Sequence, residues 1–273
     1  MKRYSLAKYL MFLSMAFGVL FWLFVQLKYA ETNANSFADS YFVVPLLGSI
    51  YGLFAAKHWG GKSSLFGRII LAFSVGLLLQ AVGQLTYSAI YWIWNTELAF
   101  PSVGDIPYVA SQIAYIYGVF LLLKLLKPTG SRFKPVWISL VSGGLSLSIL
   151  AGMIAGFLRL AVHDERGAVV QVLNVTYPLF QLLFIALALI AVLQARRAAE
   201  GRMFGSIAVL LSALAAQFVA DYVLLYQSYH ETWEPARVSD ALYLLAYVLM
   251  GISIYYIEVT RTHVFSESAK AVQ

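Results

Sequence analysis

The chain has 273 residues, 61% hydrophobic and only 12% charged, with a formal charge of +6 and a mean hydropathy of +0.76. Soluble domains carry about a quarter charged residues, so a soluble globule is excluded. The basic balance calls for no nucleic acid, because Lys and Arg sit at the ends of apolar runs, and the absence of cysteine removes disulfides, thiolate catalysis, iron–sulfur clusters and Cys-based zinc sites.

Eight apolar runs follow in order: 9–27, 41–57, 68–93, 106–126, 136–158, 173–194, 203–226 and 241–259. About 20 residues cross a ~30 Å hydrocarbon core as a helix. The first run follows Lys2, Arg3 and Lys8; it is longer than the apolar part of a signal peptide and includes Phe21 and Trp22, so a retained membrane helix is expected. The second has Pro45 near its start, expected to kink the helix or serve as its hinge. Gln80 and Gln84 share one face of the third, and Asp105 and Tyr108 open the fourth. Gly144, Ser148, Gly152 and Gly156 make a small-residue stripe on the fifth, for close packing in the bundle or for a homodimer. Pro178 repeats the early proline on the sixth, Gln217 and Asp221 share a face of the seventh, and Asp240 and Tyr243 open the eighth. No strand pattern appears, and open sheets cannot span a bilayer.

The same order of proline, polar pair and Asp-x-x-Tyr thus occurs twice. The predicted fold is all-α: a polytopic membrane protein of eight transmembrane helices in two parallel four-helix repeats. The first repeat covers 1–127, a cytoplasmic linker with Pro-Thr-Gly covers 128–135, the second repeat covers 136–260, and a cytoplasmic tail covers 261–273. An even number of helices per copy gives both the same orientation, about an axis along the membrane normal. Cytoplasmic loops collect Lys and Arg. The N-terminal segment, 57–68, 124–134 and 196–202 are basic, while the alternate loops hold Glu31, Asp39, Glu97, Asp105, Asp164, Glu165, Glu231, Glu234 and Asp240. Both termini are therefore expected in the cytoplasm, with 28–40 as an outer loop.

Polar side chains inside apolar runs are the candidates for function. Gln80, Gln84, Gln217 and Asp221 are expected to line an outward-facing pocket at the seam between the repeats and to bind a ligand; interhelical hydrogen bonding is the structural alternative. Asp105 and Asp240 suit helix N-termini, with Ser102 and Ser239 beside them, and together with Tyr108 and Tyr243 they are expected to position the helices. Tyr87, Tyr91, Trp92, Trp94, Tyr108 and Trp233 read as an interfacial aromatic belt. His58, His163, His230 and His263 share no helical spacing, no lysine lies mid-helix, and no phosphate loop or hydrolase elbow is present. No catalytic residue, metal or cofactor is expected.

The segment Phe100-Pro-Ser-Val-Gly-Asp-Ile-Pro-Tyr108 resembles a recurring element of prokaryotic membrane regions, in which a Pro-Ser-x-x-Asp-x-x-Tyr run opens a helix. Such multi-helix regions stand in front of diguanylate cyclases and histidine kinases. The second copy keeps Asp240 and Tyr243 but has Ala236-Arg237 where the first has Pro101-Ser102. The resemblance implies a sensory module of the inner membrane, without a ligand to carry over. The chain reads as a stand-alone version or as the membrane part of a longer signalling protein. Its expected partners are the bilayer, a small-molecule or lipid ligand, and a cytoplasmic signalling protein or a second copy. A small pseudosymmetric transporter is the alternative, and an intramembrane lipid-modifying enzyme is third.

Overall fold

A computed structural model describes residues 2–28, 30–94, 102–126, 168–195 and 204–271. Among the described residues the chain is helical throughout: α1 Lys2–Leu27, α2 Glu31–Ser40, α3 Val43–His58, a 3-10 turn Gly61–Ser63, α4 Leu65–Trp94, α5 Asp105–Leu125, α6 Ala168–Ala195, α7 Phe204–Tyr229 and α8 Val238–Ala271. A helix satisfies its backbone within one segment, which is what long apolar runs require in lipid.

Six stretches are long and apolar enough to cross a membrane: Tyr4–Leu27, Glu31–His58, Leu65–Trp94, Asp105–Leu125, Phe204–Ser228 and Val238–Thr260. Each contains or closely matches one of the expected runs. The run 173–194 falls within α6, and 136–158, with its glycine–serine stripe, lies outside the described residues. The outer surface agrees with a lipid setting. Leu6, Tyr9, Leu13, Phe17 and Leu20 recur along α1 at steps of three and four, and each is more than half exposed. An apolar stripe of that length is a liability in water and ordinary against acyl chains. These helices fit an integral membrane protein that crosses the bilayer several times.

One segment differs from the sequence reading. The expected outer loop at 28–40 holds the ten-residue helix α2. Ala34, Phe37, Ala38 and Tyr41 are buried at i, i+3, i+4 and i+7, so the helix forms because one stripe packs inward. At the C-terminal end, α8 continues unbroken from the apolar span to Ala271, within the expected tail.

Pro45 acts by breaking the chain into α2 and α3. Proline has no N–H and its ring crowds the carbonyl four residues earlier, here that of Tyr41. The Tyr41 carbonyl instead accepts from Val44 N at 3.0 Å, and regular bonding resumes at Leu46 N to Phe42 O, 3.1 Å. Tyr41 therefore stands at the joint.

The core lies where α3, α4, α5 and α8 meet, with Tyr51, Phe73, Leu77, Tyr115, Leu122 and Tyr247 fully enclosed. Helix α3 packs on α4 and α8, α4 on α5, α5 on α6, and α7 on α6 and α8. Glycines set the α4–α5 approach: an added Cβ would stand 2.2 Å from the Tyr115 ring at Gly76 and 2.9 Å from the Tyr108 ring at Gly83.

Candidate functional site

Gln80 and Gln84 lie one turn apart on α4. Gly83 has no side chain, so the Tyr108 ring of α5 lies flat against α4, and its hydroxyl donates to Gln84 Oε1 at 2.9 Å. The same oxygen accepts from the Tyr41 hydroxyl at 3.2 Å. The Gln84 amide nitrogen donates to the Ala38 carbonyl at 2.9 Å, tying α4 to α2. Gln80, 1% exposed, donates to Ser111 Oγ at 2.6 Å and accepts from the Tyr247 hydroxyl of α8 at 3.1 Å. The Tyr41 hydroxyl also hydrogen-bonds the Asp240 side chain at the start of α8.

Gln217 and Asp221 lie one turn apart on α7, both buried. Asp221 Oδ1 accepts from the Tyr243 hydroxyl of α8 at 2.5 Å. Gln217 Nε2 reaches the two carboxylate oxygens at 3.2 and 3.3 Å, and Gln112 Nε2 of α5 reaches Oδ2 at 3.4 Å. Three donors around one carboxylate suit its ionised, acceptor-only form.

The two sets meet through tyrosine rings. Tyr41 stacks on Tyr247, with centroids 6.1 Å apart and planes within 25°. Tyr247 in turn stacks on Tyr243 at 6.1 Å and 26°. Phe37 lies on the far side of Tyr41 at 5.3 Å. Offset stacks of this kind stiffen the column that joins α2 to α8.

Asp105 and Asp240 occupy the first turns of α5 and α8 as expected. Asp105 Oδ2 accepts from Ser102 N at 2.6 Å, while Ser102 Oγ accepts from Gly104 N at 3.1 Å; the pair closes the turn that leads into α5, whose N-cap is Gly104. Ser102 Oγ also donates to the Tyr87 hydroxyl at 2.9 Å. Asp240 Oδ2 accepts from Ala236 N at 2.7 Å. The matching place in the first Asp-x-x-Tyr segment is Pro101, which has no amide hydrogen to give. Ser239 supplies no cap: its hydroxyl is fully buried and has no hydrogen-bond partner among the described residues.

Ala236 anchors the turn before α8. Its φ is 59°, left-handed for a residue with a Cβ. Its carbonyl accepts from Trp22 Nε1 at 3.0 Å and Gln26 Nε2 at 2.8 Å, both on α1. The strained turn before α8 is thus held by α1 from one side and Asp240 from the other.

The structure brings Gln80, Gln84, Gln217, Asp221, Tyr108 and Tyr243 into hydrogen-bonded sets, and leaves Asp105 and Asp240 at the helix ends. It adds Tyr41, Ser111, Gln112 and Tyr247, which the sequence reading passed over. Gln112 had a visible signal: an amide in the middle of an apolar run needs a partner. Glu258 was also missed. It is buried near the far end of the apolar span of α8 from Asp240, and its Oε2 accepts from the Tyr51 hydroxyl at 3.4 Å. Of the belt residues, Trp92 Nε1 donates to Asp39 Oδ2 at 3.0 Å; Glu97 lies outside the described residues.

Among the described residues, no group of three or more His, Cys, Asp or Glu side chains converges. The arrangement is an amide–carboxylate–phenol lattice that joins α2, α4, α5, α7 and α8 by hydrogen bonds. No protein-family model, curated protein or solved structure matches the chain.

Proposed function

We propose that this chain is a sensory or ligand-binding module of a prokaryotic inner membrane, built as eight spans in two parallel repeats with both termini in the cytoplasm. A ligand entering from the outer side binds at Gln80, Gln84, Gln217 and Asp221. The observation that carries this reading is a pair of bonds between the proposed repeats: Tyr247 to Gln80 and Gln112 to Asp221. Tyr247 lies seven residues after Asp240 and Gln112 seven after Asp105, so the two bonds leave equivalent positions and cross in opposite directions. The packing is reciprocal too. Helix α3 of the first repeat lies on α8 of the second, and α5 lies on α6; each pairs a second helix with a fourth. The alternation of basic and acidic loops supports the orientation.

Signalling then follows from α8. Asp240, Tyr243 and Tyr247 sit on it near the ligand side, and the same helix runs on to Ala271. The eleven residues beyond the apolar span extend it by roughly 16 Å. A ligand that favours one tilt of α8 shifts the population of that tilt along its whole length. The pseudosymmetric transporter remains the competing reading, supported by the same reciprocal packing.

The chain has no cysteine, so paired labels at Lys62 and Thr260 report on the inner ends of the helices without background. The experiment screens compounds for a rise in Tm of the reconstituted chain, then measures the label distance by pulsed electron resonance. A sensor gives a compound that changes both, with both responses lost in Asp221→Asn. Gradient-driven uptake of the compound into vesicles would replace sensing by transport. Binding that persists unchanged in Asp221→Asn would remove the site.

A further inference from the structure

We infer that α1 is a clamp that holds α8 near both ends of its apolar span, and that the turn at Ala236 is a strained latch by which one end of α8 releases. The inference goes beyond the ligand reading above and stands whether or not the seam takes a ligand.

Helix α1 lies antiparallel on α8. Phe12 meets Tyr255 edge-on at 5.2 Å. Met15 fills the place that a Gly251 side chain would take, its Cε 2.2 Å from a Cβ built there. A Cβ on Gly18 would stand 3.1 Å from Leu244 Cδ1. Between the ends, then, the contact is thioether, ring edge and glycine, and methionine adapts readily to a shifted neighbour. The polar ties lie at the two ends, and hydrogen bonds weaken steeply once their angle is lost.

At the Glu258 end the tie is indirect. The Tyr51 hydroxyl of α3 donates to Glu258 Oε2. With that hydrogen committed, its oxygen takes the Tyr4 hydroxyl of α1 at 3.3 Å. At the Ala236 end the tie is direct, because Trp22 and Gln26 of α1 both donate to the Ala236 carbonyl.

Strain separates the two ends. Among the described residues, Glu231 and Ala236 are the ones that combine a side chain with a positive φ, and both stand in the segment between α7 and α8. The start of α5 differs: its N-cap, Gly104, has a right-handed φ of −68°. A left-handed residue with a Cβ persists only where its surroundings over-determine it, and such outliers gather at switch regions. Three bonds hold Ala236: two on its carbonyl from α1, and one on its amide from Asp240. Loss of the α1 pair leaves a buried carbonyl bare on a strained residue, a cost that falls on the clamped arrangement alone. Turning φ negative swings the carbonyl away and relieves both. Asp240 keeps its contact with the Tyr41 hydroxyl, so the start of α8 stays tethered to the joint between α2 and α3 as it leaves α1.

The test places spin labels on cysteines introduced at Leu27 and Val238, both exposed, in the full chain in lipid nanodiscs, and reads their dipolar broadening. With no other change, one short separation is expected. Trp22→Phe with Gln26→Leu is expected to add a longer one, its share rising at least about fivefold, the scale of one lost hydrogen bond. Adding Ala236→Gly removes the strain without restoring a donor, and is expected to bring that share back down. Tyr108→Phe, a lesion of the same kind away from α1, is expected to leave the separation alone. A single unchanged separation in a folded double variant overturns the inference. So does a longer separation that Tyr108→Phe produces equally, or that Ala236→Gly fails to reduce. Where the double variant does not fold, hydrogen exchange of the unsubstituted chain decides. The Ala236 and Ala241 amides, both hydrogen-bonded, are expected to open more often than the Asp105 amide at the start of α5, and Ala236→Gly is expected to slow them. Equal protection at the two helix starts, or no slowing, overturns the latch. Neither measurement uses a ligand, so failure here leaves the reading of the seam untouched.

Discussion

The Tyr247 hydroxyl on α8 donates to Gln80 Oε1 on α4 at 3.1 Å, across 167 residues of chain. Both side chains are 1% exposed. A phenol and an amide enclosed this fully lose their hydration unless they find each other, so each fixes the rotation of the other's helix. The bond also sits beside the stack that carries Tyr41 and Tyr243. Helix α8 is therefore set against α4 by polar geometry as well as by packing.

Tyr243→Phe and Tyr108→Phe remove donors in equivalent places and should differ in cost. The first takes a hydroxyl from a carboxylate, where a bond contributes about 1.5–3 kcal/mol. The second takes one from an amide that keeps its Tyr41 donor, where membrane hydrogen bonds average about 0.6 kcal/mol. Unfolding in mixed micelles measures both. Equal losses would contradict an ionised Asp221.

Gly83→Ala should destabilise by about 1–3 kcal/mol, because the new Cβ stands 2.9 Å from two Tyr108 ring carbons. Tyr108→Ala makes room. The double variant should lie well above the sum of the singles, a coupling that a thermodynamic cycle reads directly. Simple additivity would mean that the ring does not rest on Gly83.

Ala236→Gly should stabilise the fold slightly. The left-handed φ of 59° costs a residue with a Cβ about 1–2 kcal/mol, while glycine adds about 0.4–1 kcal/mol of unfolded-chain entropy. The net gain is about 0.5 kcal/mol, visible as a small rise in Tm. A fall would show that the Ala236 methyl packs more than its backbone strains.

Trp22→Phe and Gln26→Leu each leave the Ala236 carbonyl one donor. Together they leave it none from α1, and an unfilled buried acceptor costs about 1–3 kcal/mol. The pair should lose more stability than the two singles added. Equal or smaller loss would mean that the carbonyl finds a replacement.

Reading the residues in order located much of this. The apolar runs show which segments are helices, because length and hydropathy answer directly to the bilayer. The Gln80–Gln84 and Gln217–Asp221 pairs were visible because i and i+4 share a face whatever surrounds the helix. Helix α2 was missed because Asn33, Asn35, Ser36 and Asp39 read as a loop, although Ala34, Phe37, Ala38 and Tyr41 already carried a helical stripe. Gln112 was missed for the opposite reason: it is one amide in an apolar run, and its importance depends on Asp221, 109 residues away.

Local chemistry alone determined the helical, membrane-bound character of the chain, the break before Pro45 and the acidic starts of α5 and α8, since each depends on neighbours within about a turn. Tertiary structure alone decided that Tyr247 meets Gln80, that Gln112 meets Asp221, and that Ala236 is held by Trp22 and Gln26. Those pairings depend on how each helix is rotated about its axis. Rotation is set by which ring fits against which glycine, a choice made between helices and written in none of them singly.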